Sequence, residues 1–563
     1  MLLEEAMAEV GEFGLFQYLL IGYLVVFVAP LRVLPLFTHI FTFLVPPHRC
    51  RLPTHLSLLE SSNSTTTESL LDLYIPREPD GTFSQCSMYL PNTTMMEDQW
   101  NNSFTTTTSC LYGWEYDFSI FYPTIVSEMD WVCEHSWKAY VANSAFWVAT
   151  AVGVIISGDL SDRFGRVPVM IGVNVLCGSA CLYTYFVPNF VHFIASRVLL
   201  GVVVLAISIT PFVLVIEYMA PEKRMIVLSA FQVSYPLVGA AFPWIAYAFA
   251  DWRKLTLFAA ILPLSAPLFS WFVPESLRWL ISRGKEQRAK KILKYIAWVN
   301  RRPLSDEFMQ KCQFPPPTDF NTTKASVVDL LKTPNMRKNF ILSLIVWTIA
   351  CLVYTAGQLY AANATSNPFT MTTAINIVDI VATATALPLA DRWGRRPTMM
   401  SAFLIAGVAY VSAVAIPKPS GAFAETAVFM LARLALTMAY NVGYLYAAEI
   451  YPTAARSQAL SLRQAFGSVG KFLSSQVTQL AMYGSSIPLV LMGGMSCLLA
   501  ALTFPMPETL QQRLPESLED GEGFTIGQYT CCFGGLPKPD ESVPARRRTS
   551  SVVSAASVVS APD

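Results

Sequence analysis

The sequence predicts an all-α membrane protein of twelve helices, arranged as two pseudo-symmetric six-helix halves. Composition gives the first reason. Of 563 residues, 53% are hydrophobic and only 14% charged, against about 25% charged in soluble domains, so much of the surface does not meet water. Repetition gives the second. The run Asp162-Arg163-Phe164-Gly165-Arg166 returns as Asp391-Arg392-Trp393-Gly394-Arg395, each copy between long apolar stretches. Lys+Arg and Asp+Glu balance at 39 each, so net charge gives no reason to expect a nucleic-acid partner.

A helix that crosses a bilayer needs roughly 20 mostly apolar residues. About twelve stretches qualify: 16–44, 138–158, 167–187, 191–216, 226–249, 255–273, 338–361, 371–390, 397–416, 424–447, 457–482 and 486–506. They divide the chain into an amino-terminal half, 1–273, and a carboxy-terminal half, 338–507. Between the halves, 274–337 forms a linker with amphipathic helices. A tail, 508–563, is rich in Ser and Pro from 514 and is expected to be disordered. The acidic start, 1–12, lacks the basic lead of a signal peptide.

Charge sorting sets the orientation. Arg163 and Arg166, the basic run from Arg278 to Arg302, Arg392 to Arg396, and Arg546 to Arg548 fall on one side if the spans alternate. The positive-inside rule makes that side cytoplasmic, with both termini there. The polar insert 46–137 then lies outside the cell. It holds four cysteines, Cys50, Cys86, Cys110 and Cys133, and sequons at Asn63, Asn92 and Asn101. Disulfides and N-glycans both belong to the secretory route, so a multi-pass plasma-membrane glycoprotein is expected. Three pairings of the cysteines are open.

The halves repeat more than the charged turn. Glu217 and Arg224 match Glu449 and Arg456, each carboxylate seven residues before its arginine. Arg197 and Arg433 precede them in the fourth and tenth spans. An ion in or near lipid must be paired or wetted. Asp162, Arg163, Arg166, Arg197, Glu217 and Arg224 are therefore expected to form one charge network at the cytoplasmic rim. Asp391, Arg392, Arg395, Arg433, Glu449 and Arg456 are its expected twin. Such networks can gate by holding the halves together in one conformation and parting in another; the alternative is that they only anchor loops at headgroups.

This arrangement resembles the major facilitator superfamily, whose two halves rock about a site near the bilayer midplane. Closer still is the resemblance to its organic cation, anion and zwitterion transporter family (solute carrier family 22). The features are the cysteine- and sequon-bearing insert, Pro46-Pro47-His48-Arg49-Cys50, Trp114-Glu115-Tyr116, Trp131-Val132-Cys133, Pro274 to Leu280, and Glu449-Ile450-Tyr451-Pro452-Thr453. The resemblance implies the twelve-helix major facilitator fold, alternating access and a small organic ion as substrate. It also implies a substrate-facing position in span 11, here Ser468, and one in span 8, here Thr383; the family's charged residues are missing at both.

Ionisable residues far from helix ends are functional candidates. Arg32, near Pro30 and Pro35 in the first span, Asp379 in the eighth and Lys471 in the eleventh meet that description. Two cations against one carboxylate predict a mildly positive cavity suited to an organic anion or zwitterion; the alternative is that Asp379 pairs with one of them and locks the site. Tyr354 and Gln358 in the seventh span, and Tyr440, Asn441 and Tyr444 in the tenth, offer polar groups on largely apolar bodies. No metal-ligand spacing, catalytic cluster or nucleotide-binding loop is found, so neither enzyme, cofactor nor ATP-driven pump is expected. The competing expectation is a non-transporting receptor or scaffold that binds an extracellular protein through the insert.

Overall fold

Apolar length and polar interruptions partition the described residues into twelve long helices. They are span 1 (Leu15–Thr42), 2 (Trp137–Phe164), 3 (Arg166–Tyr185), 4 (Phe190–Glu217), 5 (Arg224–Phe249), 6 (Trp252–Ser270), 7 (Pro334–Ala364), 8 (Pro368–Trp393), 9 (Arg395–Val414), 10 (Lys418–Ile450), 11 (Arg456–Gln479) and 12 (Ile487–Thr503). The structure, a computed structural model, describes residues 7–523 apart from 8, 12, 53–70, 73, 79–81, 90–106, 220–222, 271, 303–326, 365–366, 417, 453–454, 485, 511, 513–514 and 516–517. The sequons at Asn63, Asn92 and Asn101, the Arg224 side chain and the tail from 524 lie outside the described residues.

The packing is duplicated. Span 3 packs on spans 4 and 6, span 2 on span 4, and span 1 on spans 5 and 6. In the same way span 9 packs on spans 10 and 12, span 8 on span 10, and span 7 on spans 11 and 12. The halves meet where span 2 packs on span 11 and span 5 on span 8. Exchanging the halves turns one of these contacts into the other, as a pseudo-two-fold axis requires. Span 1 is not a uniform helix: a π-helical turn, Leu24–Val28, precedes Pro30. Proline has no N–H to donate, and a wide turn absorbs the mismatch.

The repeated charged motif is tighter than the sequence implies. Span 2 runs to Phe164 and span 3 starts at Arg166, leaving Gly165 as the whole connection, at φ 105°. Gly394 does the same between spans 8 and 9, at φ 102°. Each glycine also sits against a carboxylate. A Cβ on Gly165 would lie 2.5 Å from Glu275 Oε2, and one on Gly394 2.7 Å from Glu508 Oε2. Glu275 accepts the N–H groups of Arg166 and Val167 at 2.9 and 3.1 Å. Glu508 accepts those of Arg395 and Arg396 at 2.9 and 3.0 Å. A negative charge on the orphan N–H groups of a helix start satisfies both hydrogen bonding and the helix dipole. The paired Pro-Glu sequences after spans 6 and 12 thus seal the starts of spans 3 and 9.

The charge networks form, with different membership. Arg166 pairs with Asp162 at 3.2 Å and Glu217 at 3.1 Å; Arg395 pairs with Asp391 at 3.0 Å and Glu449 at 3.2 Å. Each of these clusters lies within one half, so they do not tie the halves to each other. Arg163 turns outward to exposed Asp159, and Arg392 is exposed. Arg456 donates to the Tyr451 carbonyl at 3.0 Å rather than to Glu449. Arg197 and Arg433 belong to neither cluster. Both lie deep in the bundle, because spans 4 and 10 bury them well short of the charged turns.

The insert after span 1 is pinned to the bundle. His48–Cys50 pairs antiparallel with Trp114–Tyr116, and Ser87–Tyr89 with Thr107–Ser109. Disulfides join Cys50 to Cys110 and Cys86 to Cys133. Thr124 donates its hydroxyl to the Leu44 carbonyl at 2.8 Å, and Arg253 at the start of span 6 holds Glu128 at 2.6 Å.

The double demand on the turn glycines has a direct test. Gly394→Ala must place a Cβ at positive φ against Glu508, and is expected to destabilise by at least about 1 kcal/mol. Gly158 lies in a helix with open space around its Cα, so Gly158→Ala should leave the melting temperature of the purified protein unchanged or raise it. Equal melting temperatures for the two variants would refute this account.

Candidate functional site

A central cavity is lined by spans 1, 2, 4 and 5 of one half and 7, 8, 10 and 11 of the other. These sets correspond under the pseudo-two-fold; among the described residues, spans 3, 6, 9 and 12 contribute nothing to the wall. Its ionisable groups are Arg32, His39, Asp379 and Lys471, and its aromatic groups include Trp147, Tyr235, Tyr354, Tyr440 and Tyr444. Gln358, Thr383 and Asn441 also face it.

Asp379 is fully engaged, but not by the cations expected. The Arg433 guanidinium donates to it twice, Nε to Oδ1 at 3.0 Å and Nη2 to Oδ2 at 2.7 Å. Thr437 Oγ1 donates to Oδ1 at 2.7 Å and the Tyr354 hydroxyl to Oδ2 at 3.0 Å. Arg433 gives its remaining Nη1 to the Tyr354 carbonyl at 2.8 Å and stacks 3.7 Å from the Tyr354 ring. A buried pair persists only when such extra bonds satisfy both ions.

Arg32 and Lys471 are left without that carboxylate. Arg32 lies over the rings of Tyr235 at 4.6 Å and Phe231 at 5.4 Å, and Lys471 over Trp147 at 4.8 Å. Among the described residues neither forms an ion pair with an acidic group. Ring faces attract cations, but only modestly compared with an anion. Arg463 is also buried, with its guanidinium 3.7 Å from Trp347 and one bond to the Gly443 carbonyl. Among the described residues Arg197 is also buried without a carboxylate partner, donating to Thr184 Oγ1 at 2.6 Å. The interior is therefore more positive than the sequence predicts.

The halves close on the side of the insert. Arg197 Nη1 approaches His39 Nδ1 at 3.4 Å, and His39 Nε2 lies 2.7 Å from Asn143 Oδ1. A guanidinium can only donate, so Nδ1 accepts and the His39 proton sits on Nε2. Asn143 is then oriented to donate its Nδ2 across to Ser475 Oγ in the other half. Gln476 donates to Ser144 Oγ at 3.3 Å, and Thr373 to the Ala240 carbonyl at 3.2 Å. Phe369, at the start of span 8, packs its ring on Phe41, Tyr122 and Tyr247.

Of the sequence-derived candidates, Arg32, Asp379, Lys471, Tyr354, Gln358, Tyr440, Asn441 and Tyr444 all line the cavity. Ser468 does not: its hydroxyl turns back to the Gln464 carbonyl at 3.2 Å. His39, Asn143, Trp147, Gln232 and Tyr235 are lining residues that the sequence reading missed. His39 carried a signal, being an ionisable side chain inside a span.

The family model described as "Sugar (and other) transporter" matches residues 88–519. A beta-alanine transporter of Drosophila melanogaster is 28% identical, covering 94% of this chain and 90% of its own. Organic cation/carnitine transporter 2 of Mus musculus is 29% identical over 92% of this chain and 93% of its own. Organic anion transporter 3 of Oryctolagus cuniculus is 28% identical over 93% and 94%. Among solved structures, the inward open conformation of the xylose transporter XylE from E. coli superposes with a TM-score of 0.56 at 17% identity, covering 72% of this chain and 92% of that one.

Breaking the central pair from one side strands a buried charge. Asp379→Leu or Arg433→Met alone is expected to cost about 3–5 kcal/mol and to remove most of the folded protein. The double variant should recover much of that loss. Size-exclusion profiles and melting temperatures of the three variants check this; a double variant as unstable as the sum of the singles would overturn it.

Proposed function

The chain belongs to the sugar (and other) transporter family, and from that premise we propose that it is a plasma-membrane secondary transporter of small organic anions or zwitterions, working by alternating access with both termini in the cytoplasm. The observation that carries the substrate charge is the engagement of Asp379 by Arg433. It leaves Arg32, from one half, and Lys471, from the other, as cations facing the cavity. An anionic group there gains charge-assisted hydrogen bonds in place of ring contacts. The aromatic wall suits the organic body, since ligand pockets are mostly apolar with few polar groups. Relatives named for beta-alanine, carnitine and organic anions support a small organic substrate. The basic residues beside the Gly165 and Gly394 turns support the cytoplasmic placement of that face.

The reading is tested by uptake of labelled organic anions, zwitterions and cations into cells that display the protein at the surface. Arg32→Ala and Lys471→Ala are each expected to depress anion uptake about tenfold or more, as the loss of a charged hydrogen bond predicts, with surface delivery unchanged. Anion uptake by both variants at the rate of the parent protein would refute it.

A further inference from the structure

Arg32 and Lys471 face one cavity but are held by different halves. Arg32, in span 1, rests on the rings of Tyr235 and Phe231 in span 5, within its own half. Lys471, in span 11, rests 4.8 Å from the ring of Trp147, which belongs to span 2 of the opposite half. Trp147 is buried, and its ring is fixed by neighbours. Phe146 packs edge-on against it at 4.9 Å and stacks on His39 at 4.1 Å.

The contact has a place in the seam between the halves. Trp147 follows Asn143 by four residues, and Lys471 precedes Ser475 by four. Four residues are about one helical turn. Asn143 donates to Ser475 across the interface. The Trp147–Lys471 contact is therefore the next rung of the same antiparallel crossing, one turn further from the insert. The rung beside it joins neutral groups; this one joins a cation to a ring and opens on the cavity.

An anionic group on Lys471 draws the ammonium from the ring, because a charge-assisted hydrogen bond is the stronger of the two contacts. The ring contact exists only while the seam is closed, since its partners come from opposite halves. An anion bound with the seam closed forfeits that contact. One bound with the seam parted forfeits nothing.

We propose that Trp147 is a positioning residue that acts through Lys471, so that the cavity holds an anionic group less tightly when the insert side is closed than when it is open. A substrate entering from the insert side meets a free Lys471. Closure brings up the Trp147 ring, which competes for the ammonium and favours release on the charged-turn side. The inference rests on the reading of the cavity as an anion or zwitterion site.

The test measures KM in both directions. Labelled benzoate, an anion, and labelled betaine, a zwitterion, are followed into oocytes that display the protein and out of oocytes injected with them. Trp147→Leu is expected to lower KM for efflux about fivefold and to leave KM for uptake unchanged. Trp147→Phe keeps a smaller ring and should give a smaller shift in the same direction. On the residual flux of Lys471→Ala, Trp147→Leu should have no further effect. A packing defect lowers surface delivery or maximal rate but does not tighten binding from one side. An efflux KM that stays or rises in both Trp147 variants, an equal fall in both directions, or the same fall without Lys471 would overturn this inference alone. A parent protein that moves neither probe in either direction would remove the anion-or-zwitterion reading and this inference with it.

Discussion

Asp379 meets Arg433 in the middle of the bundle with two hydrogen bonds between them and two more onto the carboxylate from Thr437 and Tyr354. Because the carboxylate is saturated by its own half, it contributes no net charge to the cavity and has no remaining capacity for Arg32 or Lys471. The same bonds fix the Tyr354 side chain, whose ring stacks on Tyr440 at 4.7 Å, and Tyr440 in turn stacks on Trp347 at 4.6 Å. One ion pair thus sets both the electrostatic sign of the cavity and the position of much of its aromatic wall.

Duplication makes the departures from symmetry informative. Fifteen residues before Gly394 stands Asp379; fifteen before Gly165 stands Thr150, whose hydroxyl is spent on the Phe146 carbonyl. The amino-terminal half therefore has the buried arginine, Arg197, without the carboxylate. That charge is met by hydroxyl groups, by the Phe193 ring at 4.7 Å and by the lone pair of His39. What is a closed ion pair in one half is, in the other, the beginning of a neutral hydrogen-bonded chain that ends on Ser475 across the interface.

The fold was legible because its signals are local: apolar length marks a span, and a positive-φ glycine between two charged helix ends marks the turn, wherever the spans go afterwards. Glu217 and Glu449 were legible as members of the repeated set, but their partners are Arg166 and Arg395 of the charged turns, and Arg456, seven residues after Glu449, bonds elsewhere. Depth was not legible. Arg197 and Arg433 precede those glutamates in the chain, and order along the chain says nothing of how far down a helix a side chain sits. The Pro-Glu sequences were visible as a repeat, but their task, capping a helix more than 100 residues earlier, is a tertiary fact. The cavity candidates in spans 7 and 10 stood out because polar groups are sparse in those helices. Asn143 and Gln232 were no rarer in type, but uncharged residues in spans 2 and 5 gave no reason to choose them. The disulfide partners depended on strand pairing within the insert, which carries no signature in cysteine spacing.

The division of labour between charged and neutral contacts bears on how the halves can move. Arg166 and Arg395 each bind carboxylates from two spans of one half, and Glu275 and Glu508 hold the starts of spans 3 and 9. These clusters stiffen each half as a body. The contacts that cross between halves on the insert side are amide, hydroxyl and aromatic, and each of them is cheap to exchange for water. Parting charged clusters in a low-dielectric setting is far more costly than parting such neutral ones. Under the proposed rocking of the halves, ions that hold each half rigid and neutral groups that let the halves separate serve that motion, and the residues here are placed in that way.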